Sequence, residues 1–472
     1  MSDSQHTRAP LVVELEHPPL PAEAFRRLAT LPHVLFLDSA LQNEKLGRYS
    51  FLAADPFDFL QCPADGTDAL AQLEQRLQNW QSETIAGLPP FQGGAAGLLN
   101  YDLGRSLEKV PLPKHDEFQL PAAAVGLYDI VLAYDHLQRR AWLISHGFPE
   151  RDEPARGRRT CRRVEQFQQL LASPAKTIDQ LPTKLLAREA LAPCYPVLGP
   201  QGLVSNFSRE QYLAAAQRAI DYIYAGDVFQ VNLAQRLLFP AASDSISLYL
   251  RLRERNPATF AAYFDLGEFQ IASASPERFV QVVRGRVEAR PIKGTRPRTS
   301  RAEADLFAGD ELQESEKDRA ENVMIVDLLR NDLSRVCDPE SVRVTQLCGI
   351  ESYQFVQHLV SVVQGELIEG SSPLDLVRAA FPGGSITGAP KVRAMEIISE
   401  LEPTARGPYC GSMGYLGFDG SLDLNILIRT ITAGRGWWQF PVGGGIVAQS
   451  VPEREYEETW TKAAGLLKAI VD

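Results

Sequence analysis

Apolar and polar residues recur at helical spacing in several segments of the chain, which predicts amphipathic helices there. One helix is predicted to begin after Ser208, because Ser208 can act as an N-cap with Gln211 three residues later, and Gly226 ends it. A last helix is predicted at the C-terminal end. The other predicted helices lie at Leu70–Trp80, Arg158–Leu171, Ser315–Val336 and Pro390–Leu401.

Short runs of β-branched and aromatic residues predict strands between these helices. Val125–Tyr134 and Ala141–Ser145 are predicted to form a strand pair, and several strands are expected within Gly411–Gly445. Helices and strands do not alternate strictly, so the pattern favours an α+β fold over a doubly wound sheet. Shorter strands are predicted around Phe260–Phe264, Phe269–Ala272 and Phe279–Val283.

A proline-rich segment, Ser173–Gly202, lacks a periodic pattern and is predicted to be a surface linker. It divides the chain into an N-terminal region, residues 1–195, and a C-terminal region, residues 200–472. The N-terminus has no apolar core typical of a secretory signal.

Composition and charge exclude several classes of protein. Hydrophobic residues make up 44% of the 472 residues, which is ordinary for a globular protein. The net charge of −11 argues against a nucleic-acid binder and against docking on an anionic membrane. No apolar run is long enough for a transmembrane helix. Six scattered cysteines without close pairs predict neither a zinc site nor a disulfide framework, and reduced thiols favour a cytoplasmic protein.

Two predicted helix starts carry paired carboxylates. Ser315 can cap a helix in which Asp318 and Glu321 share one face, and Ser450 begins a similar box that precedes Glu455 and Glu458. Four carboxylates on two helices could bind Mg²⁺, which prefers oxygen ligands. The alternative is two solvated acidic helix starts that favour the helix dipole, and spacing alone favours this alternative.

Two glycine-rich segments could approach a ligand through their backbones. Pro382–Lys391 enters a helix with Pro390 suited to its first position, so it could bind an anion or form an ordinary tight turn. It is not a Walker A loop, which needs Gly-Lys-Ser/Thr. Gly443–Ala448 matches G-x-G-x-x-A, but no helix follows at once, so a dinucleotide site is disfavoured. Its three glycines indicate close approach to a ligand or to another strand.

Three single residues have both a functional and a structural interpretation. Lys293 lies among apolar and glycine residues, where a desolvated amine becomes a nucleophile, although a surface lysine beside a turn is the common case. Arg429 interrupts an apolar strand and needs a salt-bridge partner or a substrate carboxylate. His358 is most often a buried histidine with a hydrogen-bond partner. No G-x-S-x-G motif supports a serine hydrolase.

Taken together and in this order, the motifs resemble the chorismate-binding family, which includes component I of anthranilate synthase and of aminodeoxychorismate synthase, and isochorismate and salicylate synthases. The resemblance implies an α+β fold in which two large β-sheets pack around a helix-lined active site. The matching segments are Ala274–Phe279, Pro291–Arg298, Lys317–Asp332, Phe381–Met395, Ile428–Thr430, Gly443–Glu458, and, in the glutamine-coupled members, Gly93–Arg105 and Gly226–Arg236.

Lys293 distinguishes branches within this family. Anthranilate synthases have alanine in the matching Pro-Ile-x-Gly-Thr motif, whereas the branch that makes 4-amino-4-deoxychorismate for 4-aminobenzoate and folate typically has lysine. The resemblance therefore implies that Lys293 attacks C2 of chorismate and that Glu277 acts as general acid at the departing C4 hydroxyl. It assigns Mg²⁺ binding to Asp318, Glu321, Glu455 and Glu458. It assigns substrate binding to His358, Ser385, Thr387, Arg429, Gly443, Gly444 and Gly445.

The resemblance also implies a partner, because ammonia in this branch comes from a separate glutamine amidotransferase subunit. The sequence contains no glutaminase motif of its own. Two segments depart from the family pattern for bound tryptophan. Leu37–Ser39 matches it only in part, and Asn256–Phe260 lacks the Ser-Pro-Tyr-like sequence.

Overall fold

The computed structural model describes residues 9–44, 46–175, 184–298, 309–352 and 356–471. The middle of the predicted linker, residues 176–183, lies outside these ranges, as do Met1–Arg8 and residues 353–355. Elements are numbered in chain order over the described residues. No helix among them combines the length and apolar character needed to cross a bilayer.

The first sheet has 13 strands in the order β1-β8-β7-β3-β2-β12-β13-β22-β23-β11-β10-β9, with β19 paired to β11. Each named pair is antiparallel. Its strands are β1 (Leu11–Glu14), β2 (Leu35–Asp38), β3 (Tyr49–Ala53), β7 (Ile130–Asp135), β8 (Arg140–Ser145), β9 (Tyr195–Pro196), β10 (Val204–Ser205), β11 (Gln230–Pro240), β12 (Phe260–Asp265), β13 (Phe269–Ser275), β19 (Gly388–Ala389), β22 (Thr430–Gly434) and β23 (Trp437–Ile446).

The second sheet has 10 strands in the order β16-β18-β15-β14-β21-β20-β5-β6-β4, with β17 paired to β18. Its strands are β4 (Asp58–Cys62), β5 (Gly94–Leu99), β6 (Ala123–Tyr128), β14 (Arg278–Val283), β15 (Arg286–Ala289), β16 (Ile292–Pro297), β17 (Arg343–Ser352), β18 (Val356–Glu366), β20 (Ser412–Gly417) and β21 (Leu422–Asn425).

Helices cover the outer faces of both sheets. On the first sheet, the apolar faces of α1, α4, α6 and α10 pack through residues such as Phe25, Phe167, Leu248 and Leu466. A separate apolar core, which includes Tyr128, fills the space between the sheets. The helices are α1 (Pro21–Leu28), α2 (Ala69–Leu77), α3 (Gly104–Leu107), α4 (Glu153–Ala172), α5 (Arg209–Tyr224), α6 (Ser245–Arg255), α7 (Glu316–Ser334), α8 (Pro373–Ala380), α9 (Lys391–Leu401) and α10 (Pro452–Ile470).

Both sheets contain strands from both sequence regions. Strands β4 to β6 of the N-terminal region lie in the second sheet, whereas β1, β2, β3, β7 and β8 lie in the first. The boundary at residues 195–200 therefore does not separate two layers of the fold. The α+β architecture with two large sheets is confirmed.

The predicted single strand Val125–Tyr134 is wrong in one respect. The chain leaves the second sheet after Tyr128 and enters the first at Ile130, so one predicted strand is two strands in two sheets. Both strands are fully buried, and Asp129 interrupts their apolar residues at the break, although one polar residue by itself does not mark a change of sheet. Asp129 lies at the crossing, buried and paired with Arg159 at 3.1 Å.

The structure confirms some of the predicted helix caps and contradicts others. The capping box of Ser208 with Gln211 is confirmed, and the Ser315 side chain accepts from the backbone N–H of Asp318. Pro390 is the N-cap of α9 and not its first helical residue. The Ser450 box is wrong, because Val451 is the N-cap of α10 and the Ser450 hydroxyl donates to the side chain of Glu455 at 2.6 Å.

Candidate active site

Two of the predicted site residues lie where the chain passes from one sheet to the other. Glu277 lies between β13 of the first sheet and β14 of the second, and Arg429 lies between β21 of the second and β22 of the first. The two crossings run side by side, because Ile426 N–H donates to the Glu277 carbonyl and Ala274 N–H donates to the Arg429 carbonyl, both at 3.0 Å. Two residues distant in sequence are thereby brought together at one end of the sheets.

Glu277 is a buried carboxyl with an unusual pKa. Burial raises its pKa to about 7, although the charges of Lys293 and Arg429 and a hydrogen bond from Ser385 act in the opposite direction. The Ser385 hydroxyl donates to Glu277 Oε1 at 3.2 Å. A carboxyl with a pKa near neutrality can hold a proton and release it, which a general acid requires.

Lys293 on β16 links this carboxyl to helix α7. Its Nζ lies 3.8 Å from Glu321 Oε2 on α7 and 3.4 Å from the Ser385 carbonyl oxygen. The adjacent Gly294 has φ +67, and a Cβ there would lie 3.0 Å from the Asp318 carboxyl carbon. Glycine at 294 therefore allows α7 to pack directly against the lysine-bearing strand.

Arg429 and His358 complete this part of the site. Arg429 has a positive φ of 52, a strained conformation for a residue with a side chain. Burial lowers its pKa, which the charge of Glu277 partly offsets. His358 on β18 lies opposite Thr295 on β16. Burial lowers the pKa of His358 to about 4, and the charge of Arg429 acts in the same direction, so this imidazole is neutral at pH 7.

The loop Ser385–Thr387 reaches the site as a short 3₁₀ turn. Ser385 contacts both Glu277 and Lys293, as described above. Thr387 is fully buried, and its hydroxyl donates to the Gly383 carbonyl at 3.0 Å, while its own carbonyl accepts from Asn232 on β11 at 2.8 Å. Ser385 therefore faces the titratable groups, whereas the Thr387 hydroxyl is engaged within the loop.

A Cβ at each of the three glycines of β23 would meet a different neighbour. A Cβ at Gly443 would lie 2.4 Å from the Leu233 carbonyl oxygen of the neighbouring strand. A Cβ at Gly445 would lie 2.6 Å from the amide nitrogen of the Gln230 side chain. A Cβ at Gly444 would lie 3.3 Å from Glu458 Oε1 and 3.6 Å from Glu455 Oε2. The absent side chain at 444 therefore leaves a cradle of backbone next to two carboxylates.

The carboxylates on α7 and α10 face a common space that contains lysine ammonium groups. Lys317 Nζ lies 4.0 Å from both Glu321 Oε1 and Glu455 Oε1. Lys462 Nζ lies 2.7 Å from Glu458 Oε1. Burial raises the pKa of Glu321, and among the smaller causes Lys293 and Lys317 lower it while Asp318 and Glu458 raise it.

Comparison with known proteins identifies the family to which this chain belongs. The family described as chorismate binding enzyme matches residues 38–468. The chain belongs to the chorismate-binding enzyme family.

Two curated relatives have different names. The chain is 40% identical over 460 residues to anthranilate synthase component 1 of Thermus thermophilus, covering 95% of each chain. It is 39% identical over 460 residues to aminodeoxychorismate synthase component 1 of Escherichia coli, covering 94% of this chain and 95% of the relative. Overall similarity therefore shows a chorismate-binding enzyme without deciding which of these two members it is.

A solved structure supports the same fold. The chain superposes on anthranilate synthase component I from Streptococcus pneumoniae with a TM-score of 0.75 and 29% identity. The superposition covers 90% of this chain and 94% of that one. The fold of the chain, with its two sheets, is thus that of a solved anthranilate synthase component I.

The donor set of the acidic space fits Mg²⁺ in chemistry and charge. Glu321, Glu455 and Glu458 supply only oxygen ligands, and the glycine cradle at 444 leaves room beside two of them. Within the described ranges no three acidic, histidine or cysteine side chains already form a compact metal-binding group. Asp318 is turned toward Arg296, whose Nη2 lies 3.6 Å from Asp318 Oδ2. The magnesium assignment stays a prediction.

Lys317 and Lys462, which lie beside the carboxylates of α7 and α10, were not predicted from the sequence, and neither was a cavity elsewhere in the fold. Lys317 precedes Glu321 by four residues and Lys462 follows Glu458 by four, a helical spacing that could have revealed both.

A cavity of about 490 Å³ lies between the two sheets, away from Lys293. Its lining includes Leu37, Asp38, Ser39, Thr259 and Phe260, from the two segments that depart from the family's tryptophan pattern.

Proposed function

We propose that this chain is component I of an aminodeoxychorismate synthase, which aminates chorismate to 4-amino-4-deoxychorismate with ammonia from a separate glutamine amidotransferase. The observation that carries the proposal is Lys293, the residue type typical of this branch. Its amine lies within 3.8 Å of Glu321 and shares Ser385 with Glu277. The proposal extends the family membership to one activity and one product.

In the proposed reaction, the neutral amine of Lys293 attacks C2 of chorismate. Both ring double bonds shift by one position, the C4–O bond breaks, and Glu277 gives its proton to the leaving hydroxyl, which departs as water. Ammonia then adds at C4, both double bonds shift back, and the C2–nitrogen bond to Lys293 breaks to release the neutral amine. The new ammonium group at C4 returns one proton to Glu277. The net reaction consumes chorismate and ammonia and yields 4-amino-4-deoxychorismate and water.

The neighbouring residues support each part of this proposal. The raised pKa of Glu277, about 7, keeps a proton available at neutral pH. Arg429 and the backbone of Gly443–Gly445 are proposed to bind the carboxylates of chorismate, together with the Ser385–Thr387 loop and His358. Neutral His358 can accept or donate a hydrogen bond without adding charge.

Mg²⁺ is proposed to bind Glu321, Glu455 and Glu458, with Asp318 beside them. When bound, it would neutralise the ring carboxylate of chorismate. The ammonium group of Lys317 lies 4.0 Å from Glu321 and from Glu455, so it would have to move away from them for these carboxylates to hold a metal ion.

The second candidate function is anthranilate synthesis. It is favoured by 40% identity to the anthranilate synthase of Thermus thermophilus, and disfavoured by Lys293 alone. The two reactions release different products, because anthranilate synthesis also releases pyruvate and its product is fluorescent. Product identity therefore decides between them.

The decisive experiment is mass spectrometry of the products from chorismate, ammonium and Mg²⁺, with fluorescence for anthranilate. We expect 4-amino-4-deoxychorismate from the unchanged chain, and anthranilate with pyruvate would contradict the proposal. Lys293→Ala should abolish the adduct at C2, and Lys293→Arg should be inactive because guanidinium stays protonated. Formation of 4-amino-4-deoxychorismate by Lys293→Ala at the unchanged rate would exclude the lysine as nucleophile.

The ammonia source is tested separately. Glutamine alone should not support amination by the purified chain, whereas ammonium should. Addition of a glutamine amidotransferase subunit should restore the use of glutamine. Glutamine-dependent turnover by the purified chain alone would contradict the proposed partner.

A further inference from the structure

One edge of β11 has a gap in its pairing with other strands. Gln230 and Val231 pair with β19, and Leu237 and Leu238 pair with β10. Between these pairs the strand is bonded by other groups. Asn232 N–H donates to the Thr387 carbonyl at 2.8 Å.

Two side chains provide bonds in the middle of this gap, and Asn206 bonds the backbone of Arg236 at its far end. The N–H of Ala234 donates to Glu402 Oε1 at 2.9 Å, and the Asn232 carbonyl accepts from Arg406 Nη2 at 2.8 Å. Glu402 and Arg406 are themselves paired, with Nη2 to Oε1 at 2.7 Å and Nε to Oε2 at 2.9 Å. A buried ion pair thus replaces a neighbouring strand.

The same guanidinium group also holds the loop of the active site. Arg406 Nη1 donates to the Ile386 carbonyl at 3.1 Å, in the middle of the Ser385–Thr387 loop. Its side chain is only 2% exposed and lies over the ring of Tyr101 at 4.8 Å. The planar fork of arginine can bind two carbonyls and a carboxylate at fixed angles, which a lysine cannot do.

The two carbonyls connect Arg406 to two parts of the proposed substrate site. Ile386 adjoins Ser385, which contacts Glu277 and Lys293. Asn232 is the register partner of Gly445 on β23. The guanidinium group therefore adds a second link between the loop and the glycine strand, beside the direct bond from Asn232 N–H to the Thr387 carbonyl. A shift of a few tenths of an ångström on either side would change the fit of a substrate held by both.

We infer that Arg406, held by Glu402, is a positioning residue for chorismate that, together with the Asn232–Thr387 bond, fixes the separation of the Ser385–Thr387 loop and the Gly443–Gly445 strand. The inference rests on the proposed substrate site but does not depend on which product the enzyme makes. Arg406 touches no reacting atom in this role. Its effect reaches the substrate through two backbone carbonyls.

The test is the chorismate KM of Arg406→Lys, measured as chorismate consumption at saturating ammonium and Mg²⁺. This assay reports turnover whether the product is 4-amino-4-deoxychorismate or anthranilate, so failure of the proposed function is distinguishable. We expect KM to rise about tenfold or more, corresponding to about 1.4 kcal/mol. We expect kcat to fall by a smaller factor.

Arg163 on α4 is a matched control. It is also buried, donates to the Ala54 and Asp55 carbonyls at 3.1 and 2.8 Å, pairs with the Asp55 carboxylate at 2.6 Å, and lies 5.5 Å from the Phe167 ring. Arg163→Lys removes a comparable planar guanidinium group, away from the proposed substrate site. It should lower the thermal midpoint as Arg406→Lys does, but leave KM within about twofold.

The inference is overturned if KM is unchanged in folded Arg406→Lys, or if both variants raise KM equally. Where Arg406→Lys does not fold, Glu402→Gln decides by the same criterion, because it keeps the volume of the side chain and removes the charge that holds the guanidinium. A purely structural role would lower the thermal midpoint of either variant without changing KM.

Discussion

The proposed reaction centre around Lys293 and Glu277 and the cavity between the sheets are both lined by charged residues, but their charges are arranged differently. In the cavity, charges are directly paired: Arg278 binds Asp423 through two hydrogen bonds of 2.9 Å, and Asp38 binds Arg253 at 2.6 Å. In the centre, Lys293 lies 3.8 Å from Glu321, beyond hydrogen-bond distance, and Glu277 has a pKa of about 7.

This difference indicates where chemistry is possible. Charges that are fully paired within the protein stabilise one arrangement and have little left to offer a ligand. Charges held near one another without direct contact can exchange partners when a substrate or a metal ion enters. Whether the charged side chains of a cavity are directly paired is therefore a better guide to the place of the reaction than the volume of the cavity.

Among variants that keep Lys293, the largest effect on turnover is expected for Glu277→Gln. Loss of the general acid should reduce kcat by about 10²- to 10⁴-fold. In the unchanged chain the rate should fall as pH rises through about 7, because the deprotonated carboxyl has no proton to donate. The variant should lack this step in its pH profile.

A matched control is Glu268→Gln, which removes a surface pairing with Arg435 at 2.8 Å and should leave both rate and pH profile unchanged. A pH step near 7 that persists in Glu277→Gln would assign the titration to another group.

The next largest effect is expected for Glu458→Ala, which removes one of the carboxylates facing Gly444. The Mg²⁺ concentration for half-maximal activity should rise at least ~10-fold. Titration calorimetry of Mg²⁺ with the substrate-free protein gives a readout independent of activity. Glu457→Ala, the exposed neighbour on α10, is the control. Equal Mg²⁺ affinity in the two variants would remove Glu458 from the site.

A smaller effect is expected for Gly444→Ala. The new methyl group would lie 3.3 Å from Glu458 Oε1 and from Lys462 Nζ, the flexible ends of two side chains, so the fold should persist. Displacement of these groups should reduce turnover by up to ~10-fold. Gly157→Ala on α4 adds the same methyl into open space and should leave turnover unchanged. Equal turnover in the two variants would show that the cradle is not used.

The smallest effect on turnover is expected for Asp38→Asn in the cavity between the sheets. Asp38 is fully buried and binds Arg253, Tyr249 and Ser50. The variant leaves Arg253 without its carboxylate and should lower the free energy of unfolding by about 3 kcal/mol. Turnover of folded protein should stay within about twofold. A large loss of kcat with intact stability would show that the cavity is coupled to the reaction centre.

Much of the secondary structure could be predicted because its signals are local. The Ser208 cap and its Gln211 partner are three residues apart, and so are Ser315 and Asp318. Paired carboxylates on one helical face follow from the same short spacing. Contacts of this kind depend only on the regular geometry of a helix, which brings residues three or four positions apart close together.

The sequence by itself determined the residue types of the site and their order, including Lys293 and the glycines of β23. Tertiary structure decided their arrangement. The change of sheet at Asp129, the side-by-side crossings of Glu277 and Arg429, and the contact between Lys317 of α7 and Glu455 of α10 all depend on residues far apart in the chain. Arg406 contacts Asn232 across 174 positions, and no local pattern marks it. Such contacts form only when two sheets pack together, and no short spacing along the chain encodes that packing.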